Sequence, residues 1–342
     1  MLESKLKSQI SALNLDLRSK TVLTEAATGA YVVTPILAGL AGAEVYAFAN
    51  STKYGTTVEV FDYTRKAIQE MGLNLNIQFI DDLSPEIIAK ADIITNSGHL
   101  RPLNNEKLES AKKGVVIPLM YEEWEWREGD LDIEYCRQKG IVVGATNERH
   151  PDVDVFNYLG DMAVKMIFDA GLTPYRNKFV LICNNDFGPF IAKTVVNICS
   201  GLGIIDIPEN KSKYPDGITW LGNYPEIPRN EEFINSEAIL FTAYPFDRSW
   251  IGDGKDIDVK RLKESFKNPF ILRFAGDVDE QELIKSDIRI YPAKVKSGHM
   301  GILPSEIGFD PIIRLQAGGL KAGELMLKNL TDFKGIPLVS IM

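Results

Sequence analysis

The stretch that decides the fold is KFVLICNNDFGPFIA, residues 178–192. It opens with an apolar run, and after a turn a helical pattern of apolar residues begins at Phe190. A strand, a turn and a helix in this order are typical of a dinucleotide-binding unit, whose turn carries Gly-x-Gly-x-x-Gly. Overlaying that motif puts Cys183 and Asn185 on the first two glycines, and only Gly188 matches. Because those two glycines make the tight turn and admit a pyrophosphate to the backbone, we predict that the fold is kept and that nicotinamide cofactors bind weakly or not at all.

The composition bounds the function. A chain of 342 residues suits two domains, and its net charge of −9 argues against a nucleic-acid or anionic-membrane binder, which needs a basic face. Its three cysteines lack the Cys-x-x-Cys spacing, so neither a disulfide framework nor a metal site is predicted. The first twenty residues lack the apolar core of a signal peptide. We therefore expect a cytoplasmic protein.

Strand and helix patterns alternate along the chain. The predicted strands are 21–23, 44–49, 76–80, 92–95, 115–119 and 140–143, then a second series at 178–182, 203–207, 238–242, 270–273 and 288–291. Such alternation predicts an α/β protein with parallel sheets covered by helices on both faces. Amphipathic helices are predicted over 154–170, between the two series, and over 311–330.

From about Ala91 onward the chain resembles the D-2-hydroxyacid dehydrogenases, a family of NAD-dependent enzymes. The matching segments lie at 91–117, 130–147, 178–192, 236–246 and 258–283, and end in SGHMG (297–301) and LKNLTDFKGIPLVSI (327–341). The resemblance implies two Rossmann-like, doubly wound parallel-sheet domains with an interdomain cleft, and a homodimer. It implies a substrate and catalytic domain of residues 1–150 plus 305–342, and a dinucleotide-binding domain of residues 151–304.

The family uses a histidine that exchanges a proton, a carboxylate that orients it, and an arginine that binds the substrate. The resemblance places His299, in SGHMG, on the histidine. Phe274 stands where the arginine belongs, and Arg273 is one residue earlier. Since neighbouring residues of a strand face opposite sides, Arg273 reaches the cleft only if a bulge intervenes. The glutamate segment is absent.

In the cofactor domain, the resemblance places nucleotide contacts at five positions. Asp206 ends the second strand of this domain, 18 residues after Gly188, where an acidic residue would take the adenosine ribose hydroxyls. The other positions are Asn184, Asn185 and Gly188 in the degenerate turn and Pro245 after a later strand.

Histidine is the side chain best suited to proton transfer near neutral pH. Of the three in the chain, His99 and His299 fall where the family forms its cleft, and His150 lies near the hinge. We therefore also name His99 as a catalytic candidate. The alternative is that each is a hydrogen-bonded structural residue.

Two further segments are candidate ligand sites. The loop MYEEWEWREGD (120–130) replaces a short substrate-carboxylate loop of the family. Its Glu122 would repel a free carboxylate, while Trp124 suits an apolar, planar or cationic group; the alternative is a surface loop covering the core. In TEAATGAYVVTP (24–35), Thr28 and Gly29 would offer an anion site at a helix N-terminus. This turn also resembles the cofactor turn of S-adenosylmethionine-dependent methyltransferases, although small residues there also serve helix packing.

The leading prediction is a divergent D-2-hydroxyacid dehydrogenase-like oxidoreductase that transfers hydride with NAD(P), with His299 as acid and base. One alternative is a non-redox enzyme on the same scaffold, carrying out methyl transfer from S-adenosylmethionine or a histidine-driven lyase or hydrolase reaction. Another is a non-catalytic ligand-binding protein that has lost NAD binding. Each has a small molecule as its partner, with no nucleic acid and no membrane.

Overall fold

The computed structural model describes residues 2–52, 55–330, 332–333 and 336–342. Contacts divide the chain into two compact units. The first unit consists of Met1–Val155 and Gly308–Met342, and the second of Phe156–Ile307.

The helices are α1 (Leu2–Leu13), α2 (Val33–Leu40), α3 (Thr57–Glu70), α4 (Pro85–Lys90), α5 (Asn105–Leu108), α6 (Ile133–Lys139), α7 (Tyr158–Asp169), α8 (Phe187–Val195), α9 (Val259–Ser265), α10 (Glu280–Lys285) and α11 (Asp310–Leu327). Short 3-10 helices lie at Gly29–Val32, Gly98–Leu100, Glu123–Glu125, Pro208–Lys213 and Pro304–Ile307.

The strands are β1 (Thr21–Glu25), β2 (Glu44–Phe48), β3 (Ile77–Ile80), β4 (Ile93–Ile94), β5 (Val116–Pro118), β6 (Val142–Thr146), β7 (Lys178–Cys183), β8 (Gly201–Asp206), β9 (Thr219–Asn223), β10 (Ala238–Thr242), β11 (Ser249–Ile251), β12 (Phe270–Ala275), β13 (Asp277–Val278), β14 (Arg289–Tyr291), β15 (Asp332–Phe333), β16 (Ile336–Pro337) and β17 (Val339–Ile341).

The main sheet of the first unit has the order β17-β6-β5-β4-β1-β2-β3. All its pairs are parallel except β17 with β6, which is antiparallel and aligns Val339 with Thr146. The parallel part has the 3-2-1-4-5-6 order of a doubly wound Rossmann sheet, which reverses direction between β1 and β4. The predicted fold class is confirmed for this unit.

Both faces of this sheet are buried because successive residues of each strand point to opposite sides. Val22 packs into a core with α1, α2 and α11, and the next residue, Leu23, packs into a second core with Leu100 and Cys136. The α11 helix lies very close to the β5 end, since a Cβ on Gly319 would come 2.5 Å from the Met120 sulfur. A small residue is required there.

The main sheet of the second unit has the order β14-β12-β10-β7-β8-β9, and every pair is parallel. This is again the Rossmann order, and it reverses between β7 and β10. A register shift in the β10–β12 pair leaves Phe274 as an extra residue, because Arg273 pairs with Phe241 and Ala275 with Thr242. The predicted fold class is confirmed here too.

The structure corrects several predicted bounds. Strand β1 runs on through Glu25, so the predicted turn begins two residues later than expected. The helix predicted from residue 154 begins at Tyr158, since Asp154 has a positive φ of 52°. Strands β9, β11, β13, β15, β16 and β17 were not predicted, and β17 makes the first sheet mixed rather than parallel.

Within the part of the chain that the structure describes, no helix combines the length and apolarity that a membrane crossing demands.

Candidate functional sites at the carboxyl edges of the two sheets

In open α/β sheets, ligands bind at the carboxyl ends of the strands where the strand order reverses. In the second unit this place lies after β7 and β10, and in the first unit after β1 and β4. Most of the predicted site residues lie in the segments that follow these strands, and the two places differ in chemistry.

In the second unit, the asparagines predicted as cofactor contacts bond to the protein itself. The Asn185 Oδ1 accepts the Phe187 backbone N–H at 2.9 Å, and its Nδ2 donates to the Thr242 hydroxyl at 3.2 Å. The Asn184 Oδ1 accepts the Tyr244 N–H at 2.8 Å. Because Thr242 ends β10 and Tyr244 follows it, the two amides join the strand ends on either side of the reversal.

Gly188 and Asp206, two further predicted contacts, meet at Tyr214. The Tyr214 hydroxyl donates to the Asp206 carboxylate at 2.6 Å, and Asn210 Nδ2 donates to the same oxygen at 3.1 Å. A Cβ on Gly188 would lie 2.2 Å from the Tyr214 hydroxyl and 2.8 Å from the Cys183 sulfur. The space beside this glycine is therefore filled by the side chains of the protein.

Burial governs the ionisation of Asp206, Tyr214 and Cys183. It raises the pKa of Asp206, although hydrogen bonds, first among them that from Tyr214, oppose the shift. Burial also raises the pKa of the Tyr214 hydroxyl and of the Cys183 thiol far above their ordinary values. Cys183 is therefore an unreactive thiol. Pro245, the fifth predicted contact, accepts a hydrogen bond from the Trp250 indole at 2.9 Å through its carbonyl oxygen.

His299 lies in the same unit, with its Nδ1 3.0 Å from the Ser297 carbonyl oxygen. Among the described residues, no carboxylate is recorded in a hydrogen bond with its ring. The Asp277 carboxylate bonds the two residues that precede His299. It accepts from the Ser297 hydroxyl and from the Gly298 N–H at 3.2 Å.

Arg273 is buried, and its guanidinium bonds to protein groups on every side. It donates to the Gly276 carbonyl at 2.9 Å and to the Asp277 carboxylate, and lies 3.5 Å from the Glu280 carboxylate. The bulge required for Arg273 to change face is present at Phe274. In this arrangement the guanidinium is nevertheless engaged by the protein, so its role toward a substrate remains a prediction.

In the first unit, Glu25 and His99 meet at the reversal between β1 and β4. The Glu25 carboxylate accepts the His99 backbone N–H at 2.9 Å, and burial raises the pKa of Glu25. The His99 Nδ1 accepts the Asn50 N–H at 3.2 Å, so a neutral ring carries its proton on Nε2. Burial lowers the pKa of His99, which favours this neutral form.

The loop after β5 turns its predicted ligand residues toward the protein. The Trp124 indole donates to the Glu122 carboxylate, and Arg149 forms an ion pair with the same group. Glu122 is 6% exposed and also accepts the Glu148 N–H at 3.2 Å. The predicted pair Glu122 and Trp124 thus fixes the loop to the segment after β6.

Glu125, three residues on, forms a carboxyl pair with Glu148. The Glu125 carboxylate accepts the Glu122 N–H at 3.2 Å, and the Glu122 carboxylate accepts the Glu148 N–H, so both glutamates bond to Glu122. Burial, the largest influence on both, raises the pKa of Glu125 to about 7 and that of Glu148 well above its ordinary value.

Tyr31 connects this pair with Glu25. Burial first, and then the negative charges of Glu25, Glu148 and Glu125, raise its pKa to about 12. Glu25 at the end of β1, Glu125 after β5 and Glu148 after β6 therefore all raise the pKa of Tyr31. The order of these strands in the sheet is β6-β5-β4-β1, so the segments that carry the three acids follow strands at one edge of the sheet.

Arg101 is the cation of this edge. Its guanidinium donates to the Asn96 carbonyl at 2.7 Å and lies 5.1 Å from the centre of the Tyr121 ring. Asn96 in turn donates to the Tyr121 hydroxyl at 2.7 Å.

The remaining candidates in the first unit are Thr28, Gly29 and His150. Thr28 precedes the 3-10 helix Gly29–Val32 and makes no side-chain capping bond, and Gly29 has a φ of 64°. His150 is buried, and its Nδ1 accepts the Asp152 N–H at 3.2 Å, as expected of a structural histidine. Over the described ranges, no group of three His, Cys, Asp or Glu side chains is arranged to hold a metal ion.

Sequence reasoning missed Glu148, Tyr31, Tyr121 and Arg101. Only the positions of two of these residues in the sequence could have indicated a site. Glu148 closely follows a strand, and Arg101 follows the Ser97-Gly98-His99 segment. Neither position identifies a partner before the strand order is known.

No family model matches the chain, and no curated protein matches its sequence significantly. Among solved structures, the A chain of dipicolinate synthase from Bacillus subtilis is similar at 11% identity, covering 92% of this chain and 99% of that chain with a TM-score of 0.59. A transhydrogenase from Sinorhizobium meliloti is similar at 14% identity, covering 93% and 98%, with a TM-score of 0.53.

A protein from Polaromonas sp., provisionally described as an NAD-binding D-isomer specific 2-hydroxyacid dehydrogenase, is similar at 12% identity over 94% of this chain and 99% of that chain, with a TM-score of 0.45. At identities this low, the likenesses with TM-scores above 0.5 show the fold alone. The S-adenosylmethionine alternative gains no support from these structures. The chain has the α/β fold with two Rossmann-type units that its resemblance to the D-2-hydroxyacid dehydrogenases predicted, and that resemblance is confirmed at the level of the fold.

Proposed function

We propose that this chain is a non-redox enzyme on a dehydrogenase-like scaffold, which moves a proton to and from a small polar substrate. The reaction takes place at the carboxyl edge of the first unit's sheet. The observation that carries the proposal is the pair of carboxyls Glu125 and Glu148, which both bond to Glu122 and whose pKa values burial raises.

Two carboxyls that share a proton can serve as acid and base at once, because one is neutral while the other is ionised. Burial raises the pKa of both carboxyls, that of Glu125 to about 7, and in this proposal Glu125 is the base and Glu148 the acid. Proton transfer is most efficient when the pKa of the catalytic group lies near the working pH. The pair meets that requirement near neutrality.

The surroundings favour a substrate that carries an amine or another cation. Glu25 and the carboxyl pair together impose a negative potential, since their charges raise the pKa of Tyr31. Arg149 forms an ion pair with Glu122, and its charge also lowers the pKa of Glu148 against the larger effect of burial. Arg101 and the Nε2 of His99 add donors at the same edge, where they would orient polar groups of the substrate.

Proton exchange provides the test. The protein is incubated in D₂O with each of the twenty amino acids and with a set of simple diamines, and deuterium incorporation at carbon is followed by NMR. We expect exchange with at least one amine, and loss of at least 100-fold in rate in Glu148→Gln, within the usual contribution of general acid–base catalysis. Glu123→Gln is the matched control, because Glu123 is exposed in the same loop and bonds to Ser340.

Exchange that is equally fast in Glu148→Gln and in the wild type would contradict the proposal. The absence of exchange with every compound would also count against it.

Hydride transfer with NAD(P), with His299 as acid and base, is the second candidate function. The fold favours it, since the scaffold is one that dehydrogenases use. It is tested by following NADH and NADPH oxidation with a panel of 2-oxo acids. Turnover that disappears in His299→Ala would establish it in place of the first proposal.

A homodimer, which the family resemblance implies, also remains a proposal. Light scattering of the purified protein at several concentrations distinguishes a mass of two chains from that of one.

A further inference from the structure

We propose that the second unit closes its own nucleotide site. Side chains of the protein occupy both the place where this fold binds a ribose and the place where it binds a pyrophosphate. Tyr214 occupies the first and Asn185 the second. The inference is independent of the first proposed function, which concerns residues of the other unit, and it argues against the second, which requires NAD(P).

The ribose place is identified by Asp206. In a dinucleotide-binding sheet, an acidic residue at the end of the second strand bonds the ribose hydroxyls. Asp206 ends β8, the second strand of this unit, and is fully buried. The Tyr214 hydroxyl lies 2.6 Å from its carboxylate, and Asn210 donates to the same oxygen. A tyrosine hydroxyl thus makes the bond that a ribose hydroxyl would make.

The pyrophosphate place is the N-terminus of the helix after the first strand, where free backbone N–H groups attract anions. In α8 the Phe187 N–H at this end donates to Asn185 Oδ1 at 2.9 Å. Asn185 is itself fixed by its bond to Thr242. The preceding residue, Asp186, places a carboxylate at this end of the helix, where Lys213 holds it in an ion pair. A pyrophosphate would have to displace a neutral side chain and approach this carboxylate.

The segment that carries Tyr214 is tied down over the start of α8. Lys213, its neighbour, donates to Asn210 at 2.8 Å and forms a 3.0 Å ion pair with Asp186. Asn210 also donates to the Asn185 carbonyl at 3.0 Å. The residues that fill the two places therefore support each other, and a nucleotide would have to break several of these bonds together.

The described residues consequently do not fit the nicotinamide dinucleotide that the fold family implies. The fit fails at two separate points.

Calorimetric titration of the full chain with NADH tests the inference. We expect no binding by the wild type up to about 1 mM NADH. The double variant Tyr214→Ala, Asn185→Gly removes the ring and restores the second glycine, and we expect it to bind NADH at least tenfold more tightly than the wild-type limit. Tyr175→Ala is the matched control, because Tyr175 belongs to the same unit and is 77% exposed; it should remain without binding.

Micromolar binding of NADH by the wild type would overturn the inference. A double variant that is folded by circular dichroism and still fails to bind would overturn it as well, since other groups would then exclude the nucleotide. Should the double variant not fold, hydrogen–deuterium exchange of residues 208–214 in the wild type decides the question. Exchange unchanged by 1 mM NADH supports the closure, and altered exchange contradicts it.

Discussion

Arg273 and Asp277 form a buried ion pair that joins strand β12 to the loop carrying His299. The Asp277 carboxylate bonds the guanidinium on one side, and on the other it accepts from Ser297 and Gly298, which precede the histidine. The arginine that sequence comparison places near a substrate site thus holds a loop in this structure.

Replacing Arg273 with Met should lower the free energy of unfolding by about 3–5 kcal/mol, because removal of one partner leaves the Asp277 charge buried and unpaired. Urea denaturation of the variant and the wild type measures the difference. Arg229→Met is the control: its pair with Glu231 is exposed, and we expect a change within about 0.5 kcal/mol. A loss no larger than the control's would show that the Arg273 pair is unimportant for stability.

Gly188→Ala should destabilise the second unit by roughly 2 kcal/mol, within the range for overpacking a filled site. The new Cβ would stand 2.2 Å from the Tyr214 hydroxyl, which must move and lose its bond to Asp206. Thermal denaturation measures the effect. Gly129→Ala, whose Cβ would meet no atom within 4 Å, should melt like the wild type. Equal melting of both variants would disprove the close packing of Tyr214.

The free energy of unfolding of Glu148→Gln, measured relative to the wild type, should be higher at pH 8 than at pH 5. Burial raises the pKa of Glu148 well above its ordinary value of 4.5, so the unfolded chain releases this proton at a lower pH than the folded chain. The wild type therefore keeps this contribution below pH 4.5 and loses it as the pH rises through the folded pKa. Because glutamine does not ionise, the variant does not undergo this loss of stability, which is about 1.4 kcal/mol for each unit of pKa shift.

Urea denaturation at the two pH values measures this difference. Glu123→Gln, in the exposed part of the same loop, should show no such dependence on pH. A Glu148→Gln variant whose stability relative to the wild type is the same at both values would contradict the raised pKa.

His299→Ala should change the free energy of unfolding by less than about 1 kcal/mol, because its recorded ring bond is one partly exposed contact with Ser297. Any NADH-dependent reduction of 2-oxo acids found in the wild type should disappear in this variant. Both quantities are measured on the same preparation. A variant that keeps activity but melts much earlier would make His299 a structural residue.

Much of the fold could be predicted because buried parallel strands are short apolar runs, as β7 and β10 illustrate. Strand β9 escaped notice because TWLGN is an edge strand whose residues are mostly half-buried, so its sequence lacks that apolar character. Strand β17 could not be identified as antiparallel, since its direction is set by pairing with β6, nearly two hundred residues earlier. Both misses concern sheet edges, where tertiary contacts outweigh local pattern.

The candidate sites were only partly predictable. The loss of two glycines correctly pointed to an altered turn, but Tyr214 lies 26 residues beyond Gly188 and its contact depends on how the intervening chain folds. Glu125 and Glu148 belong to loops after different strands, so their common contact with Glu122 follows from strand order rather than from spacing. The assigned roles of the predicted site residues remain predictions.

The first unit is assembled from two segments that are separated by the whole second unit. Its helix α11 contributes a large part of the core, with Ile312, Leu320 and Leu325 buried. During synthesis on the ribosome, residues 1–155 must therefore wait with the part of one sheet face that α11 covers exposed. The second unit, which is continuous, can complete its core first. Maturation of this chain would thus proceed from the middle outward.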